Sequence, residues 1–196
     1  IGFASQTSLS NIISGIFLIS ERPFMVGDII EVGSTRGMVL SIDLLSVKLR
    51  TFDNKMVRIP NENLIKAEVT TVTKFPIRRI DIKVGVAYKE NIENIRRILL
   101  DVAATTPGVL SEPQPLVIFN EFGSSSLDFI FAVWVPTPDF IPMRNTVMQA
   151  VKERLDAEGV EIPFPHISIY TGSITDAMPI RIVGQEGLSP AKEPSP

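Results

Sequence analysis

The chain has 196 residues, of which 44% are hydrophobic and 21% are charged, and its formal net charge is −3. This composition is that of a globular protein of one or two small domains, and it contains no basic block that would predict nucleic-acid binding. The sequence has no cysteine, which excludes disulfides, thiolate catalysis and cysteine-ligated metal sites.

The first 20 residues predict a helix with two unlike faces. One arc is apolar and consists of Leu9, Ile12, Ile13, Ile16, Phe17 and Ile19. The opposite arc consists of Thr7, Ser10, Asn11 and Ser14, with Leu18 as an exception. Small and hydroxyl residues are frequent, and such residues let helices pack closely or line a wet cavity. An amphipathic helix on a soluble core is an equally acceptable interpretation of the pattern alone.

The start of the chain predicts neither a simple membrane span nor a signal peptide. No run of 18 or more continuously apolar residues is present, which is the length that a lipid-facing helix needs. The sequence opens at Ile1, inside a hydrophobic pattern and without the layout of a signal peptide. We therefore expect this chain to be cut from a longer one.

Pro23 is predicted to end the helix, because proline disfavours helical geometry at the residue before it. Five short runs with alternating or β-branched residues follow and predict strands. They are residues 28–32, 38–42, 47–51, 56–59 and 68–73. Turn residues occupy 33–37 and 52–55, and the sequence Pro-Asn-Glu-Asn at 60–63 breaks the fourth strand from the fifth. Five short, closely spaced strands predict a small, strongly bent, barrel-like sheet.

After Pro76 the sequence predicts a second domain in which strands and helices are mixed. The predicted strands are residues 80–86, 116–121, 127–135 and 167–170, and helices are predicted from the apolar spacings at 92–102 and 147–155. This β-α-β-β-α-β order is the split βαβ, ferredoxin-like arrangement. The third strand is apolar on both faces and carries Trp134, so we expect it to be central in its sheet or covered by a partner.

The signals for an enzyme are weak. His166 is the single histidine, so there is no histidine pair for a metal and no convincing catalytic triad, and a lone histidine after prolines is more often structural. Residues 123–126 (Gly-Ser-Ser-Ser) lack the flanking glycines of a nucleophile elbow or a phosphate loop and predict a hairpin turn. An enzyme on a ferredoxin-like scaffold is therefore the weaker hypothesis.

An ordered series of short motifs runs through most of the chain. The series is residues 6–11 (QTSLSN), Gly15, 22–24 (RPF), 27–28 (GD), 50–51 (RT), 59–61 (IPN), 78–79 (RR), 85–88 (GVAY), 120–121 (NE), Gly123, 125–126 (SS), 133–134 (VW), Gly159 and 163–165 (PFP). This series resembles the small-conductance mechanosensitive channel (MscS-like) family. Each motif is weak by itself, whereas the whole ordered series is specific. The resemblance covers about residues 1–170.

The resemblance implies an α+β subunit of a ring of seven. Its expected parts are the end of a pore-lining helix at 1–21, an Sm-like β-barrel domain at 22–75, a ferredoxin-like αβ domain at 76–173, a short C-terminal barrel strand at 174–184 and a disordered tail at 185–196. A short apolar stretch at 180–183 would be the intersubunit strand. The expected partners are the lipid bilayer of a bacterial inner membrane, further copies of the chain, and permeating ions and small solutes, with no cofactor, metal or nucleic acid.

The resemblance also assigns expected roles to individual residues. Phe3 matches the lower of two apolar rings that close the pore. Thr7 matches a glycine at which the helix kinks in relatives, and Gly15 matches a second glycine, so these two are expected at a hinge or a helix contact. The residues expected at the helix exit and in coupling between domains are Asn11, Arg22, Pro23, Phe24, Asn61 and Glu62. Met25 and Glu62 depart from the family pattern, where relatives often have Arg and Gly.

The function implied is a channel that membrane tension opens to release ions and small solutes in osmotic downshock. A soluble oligomeric binding module is the alternative from another class, because Sm-like and ferredoxin-like folds also bind nucleic acids and ligands. A basic surface would favour that alternative, and a deep pocket with convergent titratable groups would favour an enzyme.

Overall fold

The computed structural model describes residues 2–167, and for residues 2–5 only the backbone. Its first part contains helix α1 (Gly2–Glu21), strands β1 (Ile29–Val32), β2 (Thr35–Ile42), β3 (Ser46–Thr51) and β4 (Met56–Pro60), helix α2 (Asn61–Lys66) and strand β5 (Val69–Thr71). Its second part contains β6 (Ile77–Val86), α3 (Ile92–Thr105), β7 (Leu116–Phe122), β8 (Leu127–Pro136), a 3₁₀ turn (Thr137–Asp139) and α4 (Phe140–Ala157).

The β domain, formed by β1–β5 and α2, is a five-stranded antiparallel sheet in the order β4-β3-β2-β1-β5. The last strand pairs with the first, and β2 shifts register against β3 between Val39 and Ser41, which bends the sheet. Its buried core joins residues from the sheet to residues from both helices. These residues are Leu18, Phe24, Ile30, Val39, Val47, Leu49 and Leu64.

The αβ domain, formed by β6–β8, α3 and α4, has a three-stranded antiparallel sheet in the order β6-β8-β7. Both helices pack on one face, where the inward residues of β8 are buried together with Ile98, Leu99 and Val147. The central position of β8 confirms the prediction from its two apolar faces. Among the described residues, this order is that of three of the four strands of a ferredoxin-like sheet. Of the strand predicted at 167–170 only Ile167 is described, and the stretch at 180–183 lies beyond the described residues.

The fold is α+β, as predicted, and it differs from the sequence-based prediction at one element. Residues 60–63 were expected to be a simple break, whereas the short helix α2 begins at Asn61. The preceding Pro60 has an extended backbone that leads into the first turn (φ −58°, ψ 140°). A helix of six residues is too short to display an apolar period, which is why the sequence pattern did not indicate it.

Candidate functional site

Helix α1 contacts the β domain with its small and polar face. Asn11, Ser14 and Leu18 are buried, whereas five large apolar residues of the opposite arc are exposed. These five are Leu9, Ile13, Ile16, Phe17 and Ile19. Leu18, which was an exception on the polar arc, belongs to the β-domain core together with Phe24. The face that carries the amide and hydroxyl groups is therefore the one used inside the chain.

Asn11 connects α1 to the first turn of α2. Its side-chain amide donates to the carbonyl of Thr7 at 2.8 Å, and its Oδ1 accepts from the backbone N–H of Glu62 at 3.0 Å. The first N–H groups of a helix have no partner within the helix, and Pro60, the residue before α2, makes no side-chain cap. Asn11 supplies the missing acceptor from a position 51 residues earlier in the chain.

Asn61 lies wholly buried between α1 and the β2–β3 turn. Its Nδ2 donates to the carbonyls of Asp43 and Leu44, both at 2.9 Å, and its backbone N–H donates to the carbonyl of Leu45 at 3.1 Å. A longer contact of 3.4 Å joins the same Nδ2 to the carbonyl of Asn11. These bonds hold the start of α2, the turn and α1 in a fixed relation. Asn11, Ser14, Gly15, Leu44, Asn61 and Glu62 are called the helix junction below.

Gly15 lets the helix approach the turn closely. A Cβ at this position would lie 2.4 Å from the carbonyl oxygen of Leu44 and 2.5 Å from Nδ2 of Asn61. Both distances are far below van der Waals contact, so only glycine fits without movement of the turn. Helix α1 itself continues without a break through Thr7 and Gly15. The close approach thus gives Gly15 a packing role in this structure.

Glu62 is held as a carboxylate by its neighbour on α2. The ammonium group of Lys66 hydrogen-bonds to Oε1 at 2.6 Å and lowers the pKa of the Glu62 carboxyl, with a smaller lowering from Ser10. The resulting negative charge lies in the first turn of α2, where a helix favours an anion. Glu62 thus contributes its backbone N–H to the helix junction, while its side chain forms an ion pair on the surface of α2.

The exit of α1 is fixed by backbone geometry and by a polar network. Arg22 has a left-handed backbone (φ 49°), and its N–H still donates to the carbonyl of Leu18 at 3.1 Å. Pro23 accepts a bond from Thr71 Oγ1 at 3.3 Å, and Phe24 then enters the core at 1% exposure. This geometry turns the chain from the helix into the first strand.

Asp28 and Thr73 secure the loop that follows the helix exit. The two carboxylate oxygens of Asp28 accept from the backbone N–H of Met25 and from Thr73 Oγ1, each at 2.7 Å. The same Oγ1 accepts from the N–H of Ile29 at 3.0 Å. Asp28 belongs to one of the family motifs, but no role was predicted for it or for Thr73. Their contact spans 45 positions, and nothing in the local pattern indicates it.

The helix junction brings together Asn11, Gly15, Asn61 and Glu62 from the expected set. Arg22, Pro23 and Phe24 lie at the helix exit, and Phe3 lies in the first turn of α1, apart from the junction. Ser14, Leu18 and Leu44 belong to the contact but were not assigned to it from the sequence. The small or polar character of its α1 arc was the only indication for Ser14. No sequence pattern indicated Leu18 or Leu44.

The described residues contain no group of three or more His, Asp or Glu side chains placed to hold a metal ion. His166 donates its backbone N–H to Ser125 Oγ at 2.9 Å, which is a structural contact. Within residues 2–167, none of the helices is both long enough and apolar enough to cross a membrane. The helix junction consists of hydrogen bonds and close packing.

Comparison with known families gives two consecutive matches. Residues 7–74 match the β-domain of mechanosensitive ion channels, and residues 80–162 match the C-terminal region of the mechanosensitive ion channel MscS. The first match begins inside α1 and includes the whole helix junction. The order of the two matches is the order of the two domains in the structure.

Two curated relatives align with 170 residues, or 87% of this chain. An uncharacterized MscS family protein of Synechocystis is 38% identical, and a small-conductance mechanosensitive channel of Edwardsiella ictaluri is 36% identical. The chain spans 57% and 59% of the length of these relatives. It therefore corresponds to somewhat more than half of each.

Solved structures agree with the sequence comparisons. The crystal structure of Helicobacter pylori MscS in its closed state superposes with a TM-score of 0.82 at 31% identity, covering 87% of this chain and 68% of that one. The cryo-EM structure of Arabidopsis thaliana MSL1 gives a TM-score of 0.71 at 19% identity, covering 83% of this chain and 61% of that one. The second match shows likeness of fold alone.

Proposed function

The chain belongs to the MscS family of mechanosensitive ion channels, and on this premise we propose that it is the pore-side helix and body of a channel subunit that membrane tension opens. Relatives that carry a functional name are channels and not enzymes. The chain is thus expected to conduct ions as part of an assembly and to catalyse no reaction.

The observation that carries this proposal is the way α1 divides its two faces. The small and polar face of α1 packs in the helix junction, while the apolar arc remains exposed among the described residues, with Leu9 at 58% and Ile16 at 56% exposure. An exposed apolar arc of this size has to be covered by other copies of the helix or by lipid. This supports a helix that is attached to its own body on one side and faces the membrane or the pore on the other.

The proposed gate is a ring of Phe3 side chains contributed by the copies of α1. A narrow apolar constriction excludes water, and therefore ions, until the helices move apart. Tension favours the open state because that state occupies more membrane area, which is a shift of population between two states. The helix junction would carry the movement of α1 to the β domain through Asn11 and Gly15.

The assembly and location are proposed from the family. Seven copies would form the ring in a bacterial inner membrane, with the residues after Arg22 in the cytoplasm. The permeants would be ions and small solutes that leave the cell in hypo-osmotic shock. A soluble binding module would require a basic or otherwise specialised face, and the net charge of −3 does not favour it.

The test is expression of the complete subunit in a bacterial strain without mechanosensitive channels of its own. We expect better survival of a sudden drop in osmolarity, and pressure-activated currents in excised patches. An Asn61→Leu variant should lose much of this activity because it leaves the carbonyls of Asp43 and Leu44 without a donor. Membrane-inserted wild-type protein that gives neither survival nor current would refute the channel function, and a water-soluble oligomer would support the binding module.

A further inference from the structure

A cleft of about 630 Å³ lies between the β domain and the αβ domain, and it takes no part in the helix junction. Its walls come from β1 and β2 on one side and from the 3₁₀ turn and the start of α4 on the other. The volume falls in the range of small-molecule binding pockets, which is about 300–1,000 Å³.

The segment that links the two domains forms one wall of this cleft and is held in place. The backbone N–H of Thr137 donates to the carbonyl of Pro76 at 2.8 Å, and its hydroxyl donates to the carbonyl of Phe75 at 2.6 Å. The linker is therefore tied to the 3₁₀ turn that precedes α4. The cleft is preformed by these bonds, so a ligand would not have to order the wall on binding.

The cleft is lined by large apolar side chains that remain exposed, and they come from both domains and from the linker. Phe52 is 68% exposed, Phe75 is 71% exposed and Ile141 is 66% exposed. All three line the same cleft, together with the ring of Phe140. Grouped exposed side chains of this size mark a binding surface more often than scattered ones do.

Two arginines of the cleft lack a carboxylate partner. None of the ion pairs among the described residues uses Arg36 or Arg78. Each guanidinium instead faces an aromatic ring, Arg78 at 3.7 Å from the Phe140 centroid and Arg36 at 5.8 Å from the Phe52 centroid. The next residue, Arg79, differs because it bonds to Asp81 at 2.8 Å.

The charge of Arg36 acts on Arg78. Burial lowers the pKa of the Arg78 guanidinium, and the charge of Arg36 lowers it further. Arginine side chains do not lose their proton in proteins. Two neighbouring positive charges with no acidic partner among the described residues, beside large apolar side chains, are complementary to a molecule with one anionic group and an apolar body.

We propose that this cleft binds a small amphipathic carboxylate, with its head between Arg36 and Arg78 and its hydrocarbon chain along Phe52, Phe75 and Ile141. Guanidinium groups bind carboxylates through paired, charge-assisted hydrogen bonds. Binding of the hydrocarbon chain is favourable because it removes apolar surface of both the ligand and the cleft from water. The cleft touches both domains, so an occupied cleft would hold the β domain and the αβ domain together.

The experiment is calorimetric titration of the assembled 196-residue chain with octanoate, and in parallel with octyltrimethylammonium, which has the same hydrocarbon chain and the opposite charge. We expect saturable binding of octanoate and at least tenfold weaker binding of the cation. Arg78→Gln should weaken octanoate binding about tenfold, because a charge-assisted hydrogen bond is lost. Arg36→Gln should weaken it by a smaller factor, since Arg36 is more exposed.

Arg79→Gln is the matched control, because it removes one positive charge from the neighbouring residue, which already has a carboxylate partner. It should change the affinity less than twofold, and circular dichroism should show that all three variants keep their fold. Equal binding of octanoate and octyltrimethylammonium would overturn the proposal, as would an equal loss in Arg79→Gln and Arg78→Gln. Absence of octanoate binding would overturn it as well. If Arg36→Gln or Arg78→Gln then also breaks the assembly, the cleft is filled by a second copy.

Discussion

Two asparagine side chains carry most of the polar contact between α1 and the β domain. Asn11 is 8% exposed and Asn61 is fully buried. A buried amide that lost its partner would lower the stability of the fold, because no hydrogen bond would then compensate the free energy of its desolvation. The hydrogen bonds of these two residues therefore fix the position of the helix more strictly than apolar packing of the same area would.

Asn11→Ala should lower the free energy of unfolding by about 1–3 kcal/mol, because the N–H of Glu62 would then be buried without an acceptor. The measurement is the midpoint of denaturant unfolding followed by circular dichroism. Ser8→Ala is the control, since Ser8 lies on the same helix and is exposed. Equal midpoints for Asn11→Ala and Ser8→Ala would contradict the role given to the Asn11 amide.

Gly15→Ala separates a packing role from a hinge role for this glycine. Alanine favours the helix by about 1 kcal/mol over glycine, yet its Cβ would lie 2.4 Å from the Leu44 carbonyl oxygen. Overpacking of this kind costs about 1–3 kcal/mol. We therefore expect no stabilisation and a net loss in the thermal midpoint, although the helix propensity improves.

The control for Gly15→Ala is Ser8→Gly, which changes helix propensity in the opposite sense at an exposed site. Unfolding midpoints of both variants should fall, but for different reasons, and only Gly15→Ala should also disturb the β2–β3 turn in amide-exchange measurements. A stabilised Gly15→Ala protein with altered gating would instead favour the hinge hypothesis.

The sequence indicated several residues of the helix junction, but it did not indicate the hydrogen bonds by which they contact one another. Asn11 and Asn61 were singled out through the family resemblance. Apart from the bond of Asn11 to Thr7 within α1, their hydrogen bonds join positions 16 to 51 residues apart, and local periodicity contains no information about such pairs. Leu18 was an apparent exception because a helical wheel shows which residues share a face but not which face packs against the rest of the protein.

Among the elements, the strands were predicted well because their alternation is local. The five predicted strands of the β domain each overlap an observed strand, with ends that differ by at most three residues. Helix α2 was missed, because its six residues depend on an acceptor from α1 and not on an apolar period. A short helix that is stabilised by residues distant in the sequence therefore has no local sequence pattern that predicts it.

Strand β8 presents a second apolar face that the chain itself does not fully cover. Ile130 and Ala132 pair with Ile118 and Leu116 of β7 on this face. Leu116 and Ile118 remain 46% and 49% exposed. Trp134 is half-buried on the same strand. The apolar stripe supports the prediction that Trp134 lies at a contact with another domain or another copy.

Trp134 is the only tryptophan, so its fluorescence reports on this face alone. In the assembled protein we expect emission at a shorter wavelength than that of indole in water, with weak quenching by acrylamide. The control is the double variant Trp134→Phe with Phe164→Trp, which moves the indole to a side chain that is 84% exposed. Equal quenching of the two proteins would contradict a covered Trp134.

At the scale of the whole molecule, the order of elements predicted a β domain followed by a mixed αβ domain. The strand with two apolar faces was expected to be central in its sheet or covered by a partner, and β8 lies between β6 and β7. The predicted strand at 180–183 lies outside the described residues, and its role between copies stays a prediction. The cleft between the domains was not predicted, because it depends on how two separately folded units meet.

The proposed gate would be a property of the whole assembly, because one Phe3 side chain cannot close a pore, whereas a ring of them can exclude water. Phe3→Ser in the complete channel should wet the constriction, lower the pressure at which the channel opens and slow growth through leak. The alternative role for Phe3 is packing between neighbouring helices. In that case the same change should reduce the yield of assembled channel without leak.

Patch-clamp recording and the yield of assembled channel decide between these roles. Phe17→Ser is the matched control, because Phe17 lies on the exposed apolar arc of the same helix, at 52% exposure and 14 positions from Phe3. It should cause no leak, since a polar residue outside the constriction does not wet the pore. If Phe3→Ser leaves both the opening pressure and the yield normal, Phe3 neither closes the pore nor packs between helices.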